Sequence, residues 1–175
     1  MLLSGLAGTW SAQSDPENWP QFRGPGGQGV AVASARPPIR FTPIENVAWK
    51  TAVPTGNSSP ILWGSRLFLT GFADGRLVVL ALDRASGREL WRREVVAETV
   101  EEVHRSLGSP ASATPVTDGE RLYVHFGSVG LLAFDLEGQE LWRLPMKLTQ
   151  TEYGASSSPV LAGENVIQLL DQDCL

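Results

Sequence analysis

Short apolar runs alternate with polar turn signals along most of the chain. Arg66-Leu67-Phe68-Leu69-Thr70, Arg121-Leu122-Tyr123-Val124-His125 and Asn165-Val166-Ile167-Gln168-Leu169 each follow a turn. The runs are rich in Val, Ile, Leu and Phe, and Asp-Gly, Ser-Gly or Glu-Gly pairs separate them, the pattern of strands joined by hairpins. It predicts one group of strands near 58–62, 66–72, 76–82 and 88–96, and a second near 113–117, 121–126, 130–135 and 139–144. A third group, near 157–161 and 165–170, supplies two strands. No stretch predicts a long helix.

These groups are copies of one unit. Leu80-Ala81-Leu82-Asp83-Arg84-Ala85-Ser86-Gly87-Arg88-Glu89-Leu90-Trp91 returns, one residue shorter, as Leu132-Ala133-Phe134-Asp135-Leu136-Glu137-Gly138-Gln139-Glu140-Leu141-Trp142. A Ser/Thr-Pro landmark precedes each copy, at Pro60, Pro115 and Pro159, and Trp49, Trp91 and Trp142 recur at a similar period. Spacings of 55 and 44 residues for the prolines, and of 42 and 51 for the tryptophans, suit a four-stranded propeller blade. The fold class expected is therefore all-β, a propeller of four-stranded antiparallel blades A to D.

The recurring residues have structural roles in this reading. Asp83 and Asp135 lead into the C–D turn, where a carboxylate accepts bonds from turn amides, and Gly87 and Gly138 are free to take positive φ there. Trp91 and Trp142 offer flat faces to wedge between blades, and Ala81 and Ala133 leave room for close packing. Trp49 stands in 46–53, which reads as a strand D with no hairpin before it. Such an orphan outer strand is what closes a propeller ring by pairing with C-terminal strands. Closed propellers have about four to eight blades. Ring closure is thus expected to need further C-terminal blades or other copies of the chain, with a fragment of a longer product the leading expectation.

The Ala-x-Asp, Gly-turn and Trp pattern resembles the pyrroloquinoline-quinone enzyme repeat, over about 46–170. That PQQ-like family includes quinoprotein alcohol dehydrogenases and non-enzymatic propellers such as the outer-membrane protein assembly lipoprotein. The segment Asn18-Trp19-Pro20-Gln21-Phe22-Arg23-Gly24-Pro25-Gly26-Gly27-Gln28-Gly29 resembles the lead-in of exported, PQQ-binding-like propellers. The resemblance implies domains of 15–45 as a Gly/Pro-rich lead-in and 46–175 as a partial propeller, with 54–96 and 97–144 as blades and 145–175 as an incomplete one. It implies PQQ and calcium only if the whole protein is a quinoprotein.

Composition narrows the classes further. Gly (18) and Pro (12) make up about a sixth of the 175 residues, and 42% are hydrophobic, which suits a turn-rich β protein. The net charge of -5 comes from scattered charges with no basic block, so nucleic acid is a poor partner. No stretch approaches the ~18 apolar residues that span a bilayer. The single cysteine, Cys174, allows no intrachain disulfide and no thiolate pair for zinc. Residues 1–14 are apolar and small with Ala12-Gln13-Ser14 at their end, which reads as a clipped signal peptide and predicts periplasmic or extracellular export.

Candidate chemistry is sparse. His104 and His125 stand apart from any nucleophile arrangement, and Gly24-Pro25-Gly26-Gly27-Gln28-Gly29 lacks the Lys-Ser/Thr of a P-loop. Asp171-Gln172-Asp173 is a weak acidic pair, and no loop has calcium-ligand spacing. No catalytic, cofactor-binding or metal-binding residue is assigned. Neither Gly-His nor Trp-Asp occurs, which disfavours a WD40 scaffold. Blade topology puts D–A connections and B–C turns on one rim, and long loops on a rigid frame carry binding. The expected interaction rim therefore holds Glu101, Glu102, His104, Arg105 and Tyr153, with Gln150 and Glu152 nearby and Asp74, Arg76, Asp171 and Asp173 from the B–C side. The function expected is a non-catalytic, exported scaffold for a protein or small ligand. The alternative is a quinoprotein oxidoreductase whose active site lies in other blades.

Overall fold

The computed structural model describes residues 17–148 and 151–170. The expected signal peptide at 1–14, Gln150, Asp171, Asp173 and Cys174 lie outside the described residues. Among the described residues, one 3-10 turn at Pro25–Gly27 precedes a series of regular elements that are all strands. β1 (Ile61–Trp63), β2 (Arg66–Ala73), β3 (Arg76–Asp83) and β4 (Glu89–Val95) form one four-stranded sheet in sequence order. β5 (Val116–Thr117), β6 (Arg121–Phe126), β7 (Gly130–Asp135) and β8 (Glu140–Pro145) form the second, and β9 (Val160–Ala162) pairs with β10 (Asn165–Ile167). All pairings are antiparallel. The described residues form part of a propeller: two blades and the first two strands of a third.

Burial explains why the third strand of each blade reads as an unbroken apolar run. Leu77 to Leu82 of β3 are all buried, as are Gly130 to Phe134 of β7. These strands have a neighbour on both faces, so no alternate position meets water. The main core joins the first two blades through Phe68, Leu80's neighbours Val79 and Ala81, Leu122, Phe126 and Phe134. Burying each large side chain stabilises the fold by about 1.5–3 kcal/mol. By contrast β8 is exposed along its whole length.

The blades share a bulge. Ala81 faces Trp91 and Leu82 faces Glu89, which leaves Leu90 unpaired; Ala133 faces Trp142 and Phe134 faces Glu140, which leaves Leu141 unpaired. A bulge adds twist, and it sits in both copies directly before the tryptophan. Opposite each tryptophan an alanine leaves the ring free to lie against Phe68 or Tyr123, with centroids 6.0 Å apart in both blades.

Hydroxyl groups stitch successive blades near their inner strands. The Ser59 N–H donates to Thr114 Oγ1 at 3.0 Å, and the Thr114 N–H donates to Ser158 Oγ at 2.9 Å. These three residues are equivalent, each directly before the landmark proline. The proline itself has no N–H to satisfy, so the stitch falls on the residue before it.

Segment 46–53, expected as an outer strand, forms no strand and has no ladder partner among the described residues. Its side chains dock nonetheless. Trp49 Nε1–H donates to the Arg84 carbonyl at 2.8 Å and Thr51 Oγ1–H to the Gly87 carbonyl at 2.8 Å. Ladder pairing needs a neighbouring strand edge, whereas the indole needs only the C–D turn.

Candidate functional site

The repeat residues occupy blade turns and blade seams. Asp83 Oδ1 accepts from the Ser86 N–H at 2.8 Å, and Asp135 Oδ1 accepts from the Glu137 and Gln139 N–H groups at 3.0 and 2.7 Å. The hydrogen bonds to Ser86 hold the Asp83 carboxyl below its ordinary range. Gly87 and Gly138 sit at φ 70° and 84°. A Cβ on Gly138 would lie 2.7 Å from the Trp91 ring, so only glycine lets the ring close on the turn. Trp142 has no such turn against it among the described residues and is 40% exposed.

The two D–A connections interlock on one rim. The His104 N–H donates to the Glu152 carbonyl at 2.7 Å and the Ser109 N–H to the Tyr153 carbonyl at 3.2 Å. The His104 and Tyr153 rings lie 5.9 Å apart. Glu102 and Arg105 are exposed beside them. The structure thus brings His104 and Tyr153 together. Asp74 and Arg76 belong to a different cluster: Asp74 takes φ 51° in the β2–β3 turn, and Arg76 pairs with Glu94 of β4.

Glu101 departs from the sequence reading. Expected on the rim surface, it is buried, with 4% exposure. Its N–H donates to Ser128 Oγ at 2.9 Å, and Oε1 accepts from the Ala155 N–H at 3.4 Å. Oε2 has no hydrogen-bond partner among the described residues, and Gly127 leaves it room, since a Cβ there would meet Oε2. The side chain reaches under the platform to bind the first connection to the second. Burial pushes its carboxyl up to about 7 against a weaker lowering by the Ala155 amide.

His125 is buried in the seam between the second and third blades. It repeats the position of Thr70, whose Oγ1–H donates to the Ala113 carbonyl at 3.2 Å. The imidazole lies against the equivalent Ser157 backbone, but neither ring nitrogen makes a hydrogen bond of good geometry. Burial lowers its pKa to about 4, the Ser157 backbone opposing weakly, so the ring is neutral at physiological pH.

Beside the platform lies a cavity of about 670 Å³ between the lead-in and the inner ends of the blades. The lead-in is held there by backbone pairing. Trp19 and Leu62 exchange N–H to carbonyl bonds at 2.8 and 2.9 Å, and the Thr117 N–H donates to the Pro20 carbonyl at 3.0 Å. Phe22, Leu107 and Tyr153 form the cavity's apolar wall and are 51%, 64% and 49% exposed. Sequence reasoning missed Phe22 and Leu107. Their signal was large apolar residues standing in segments that carry no strand alternation.

Comparison with known proteins adds the family. The sequence pattern described as outer membrane protein assembly factor BamB matches residues 10–172. The crystal structure of BamB from Moraxella catarrhalis is similar, with a TM-score of 0.55 and 14% identity, over 69% of this chain and 36% of that chain. This chain thus spans little more than a third of that structure. A europium-containing methanol dehydrogenase aligns over 52% of this chain and 25% of its own at 14% identity, with a TM-score of 0.27, too low to bear on the fold. No curated protein sequence matches. With the family pattern running through both blades and the blades themselves agreeing with it, the chain belongs to the family described as outer membrane protein assembly factor BamB, a family of PQQ-like β-propellers.

Proposed function

We propose that the chain is part of an exported, non-catalytic propeller that serves as an interaction scaffold, and that its contact surface is the rim where the two D–A connections interlock. The observation that carries this reading is the pairing of His104 with Glu152 and Ser109 with Tyr153. It turns two long loops into one platform on a rigid frame, where binding residues are best placed. The exposed apolar side chains of Phe22, Leu107 and Tyr153 at its edge add the contiguous patch that a protein or ligand partner covers. BamB, an assembly factor by its name, is the relative that this role fits.

The described residues of the cavity do not fit a calcium-bound quinone, because none of those lining it is a carboxylate. Among the described residues no group of three His, Cys, Asp or Glu gathers to hold a metal ion. The scaffold reading is tested by supplying the full-length protein with the quinone and calcium and measuring alcohol- or sugar-dependent dye reduction. No reduction above the protein-free control is expected; turnover would overturn the reading.

A further inference from the structure

We propose that the cavity between the lead-in and the inner blade ends binds a ligand by a single carboxylate that has an apolar group beside it. This goes beyond the rim reading: the cation, Arg23, belongs to the lead-in, whereas Ser156 to Ser158 belong to the second D–A connection, between β8 and β9. The titration below reads the cavity without any macromolecular partner, so its failure and the failure of the rim reading are separate.

Charge is the first argument. Arg23 is the one charged residue among the described residues lining the cavity, in a chain whose net charge is -5. No ion pair among the described residues engages it. A guanidinium with no competing carboxylate presents its fork of N–H donors to an incoming anion.

Backbone strain is the second. Arg23 takes φ 60°, in the left-handed region, and the Gly29 N–H pins its carbonyl at 2.7 Å. Non-glycine residues carry strain there, and such strain gathers at functional sites. The turn already uses Gly24, Gly26 and Gly27 at positive φ, so an arginine among them places a long cationic side chain where glycine would fold more easily.

The remaining lining supplies the other half of the recognition. Ser156, Ser157 and Ser158 stand in the cavity wall. Ser158 Oγ accepts from the Thr114 N–H, which leaves its own O–H to donate. Hydroxyl donors that share a cavity with a guanidinium add to the charge-assisted bonds a bound carboxylate accepts. Phe22, Leu107 and Tyr153 face the same space and would cover an apolar neighbour of that carboxylate. The volume suits a small molecule or the end of a peptide.

The test uses N-acetyl-leucine and its amide, titrated into the protein and followed by backbone amide chemical shifts. The acid should bind saturably and shift signals of Ser156 to Ser158. The amide should bind about tenfold more weakly or worse, the loss expected for one charge-assisted bond. Arg23→Gln, which keeps a polar side chain but removes the charge and shortens the reach by two atoms, should weaken the acid by a similar factor. Equal binding of acid and amide would overturn the proposal, as would undiminished binding of the acid to Arg23→Gln, or the absence of saturable binding. The amide comparison is made on the unaltered protein, so it does not rest on the variant's folding. A pentapeptide ending in leucine with a free carboxylate separates two sources: tighter binding than N-acetyl-leucine identifies a peptide end, and equal binding a free small acid, either of which supports the carboxylate site.

Discussion

The indole of Trp91 donates its N–H to the backbone carbonyl of Leu136 at 2.9 Å, and two residues on Arg93 Nε donates to the Gly138 carbonyl at 2.6 Å. Trp49 and Thr51 make the equivalent pair of bonds to Arg84 and Gly87. Trp91 on strand D, and Trp49 without a strand of its own, therefore fasten onto the C–D turn of the next blade. Seam stability then depends on the indole N–H as well as on the ring.

Trp91→Phe keeps an aromatic ring but removes the donor, and should cost about 1 kcal/mol. Gly138→Ala meets both the positive φ and the ring, and should cost about 1–3 kcal/mol. Denaturant unfolding of both single variants and the double variant should give a coupling energy well above zero, because the two groups touch. Strictly additive losses would place them in independent sites.

The hydroxyl stitch predicts a loss without a change of shape. Thr114→Val removes the acceptor of the part-buried Ser59 N–H and should destabilise by about 1–3 kcal/mol, the cost of an orphaned donor. Ser158→Ala should do the same to the Thr114 N–H. A drop in denaturation midpoint with an unchanged far-ultraviolet spectrum is the expected readout.

Glu101 and His125 pull stability in opposite directions with pH. The Glu101 carboxyl is raised from 4.5 to about 7, so its contribution is fully present below pH 4.5 and is lost as pH rises to 7. His125 is lowered from 6.5 to about 4, so its contribution is present above pH 6.5 and is lost as pH falls to 4. Each displacement is worth about 3 kcal/mol at ~1.4 kcal/mol per pH unit, and between pH 4.5 and 6.5 they nearly offset. Together these two groups should add almost no slope to wild-type stability across that window. Glu101→Gln should become less stable as pH falls through it, and His125→Thr, which restores the residue of the first blade, less stable as pH rises. Denaturation midpoints at pH 4.5, 5.5 and 6.5 check both slopes.

The blades were legible because their strands obey local rules. Period-two alternation, Asp-Gly turns and a repeated Leu-Ala-x-Asp run place β2, β3, β6 and β7 within a residue or two of their observed limits. Glu101 was not legible. A glutamate on a connection reads as solvated, and its burial arises from Ser128 and Ala155, 27 and 54 residues away in sequence. The interlock of His104 with Glu152 is likewise a long-range pairing of two irregular loops, which leaves no periodic mark. The docking of Trp49 without a strand shows the same limit: the spacing of the tryptophans located the residue, while the ladder depends on a neighbour that no local pattern describes.

The central claim is that the interlocked rim is the contact surface, and site-specific photo-crosslinking in cells tests it most directly. A photoreactive residue placed at Leu107 or Tyr153 of the full-length protein should crosslink to a discrete partner. The same residue at Arg143 on exposed β8 should not, and Arg105→Glu should reduce the yield at 107. Equal crosslinking from both surfaces, or capture at 143 alone, would contradict the account.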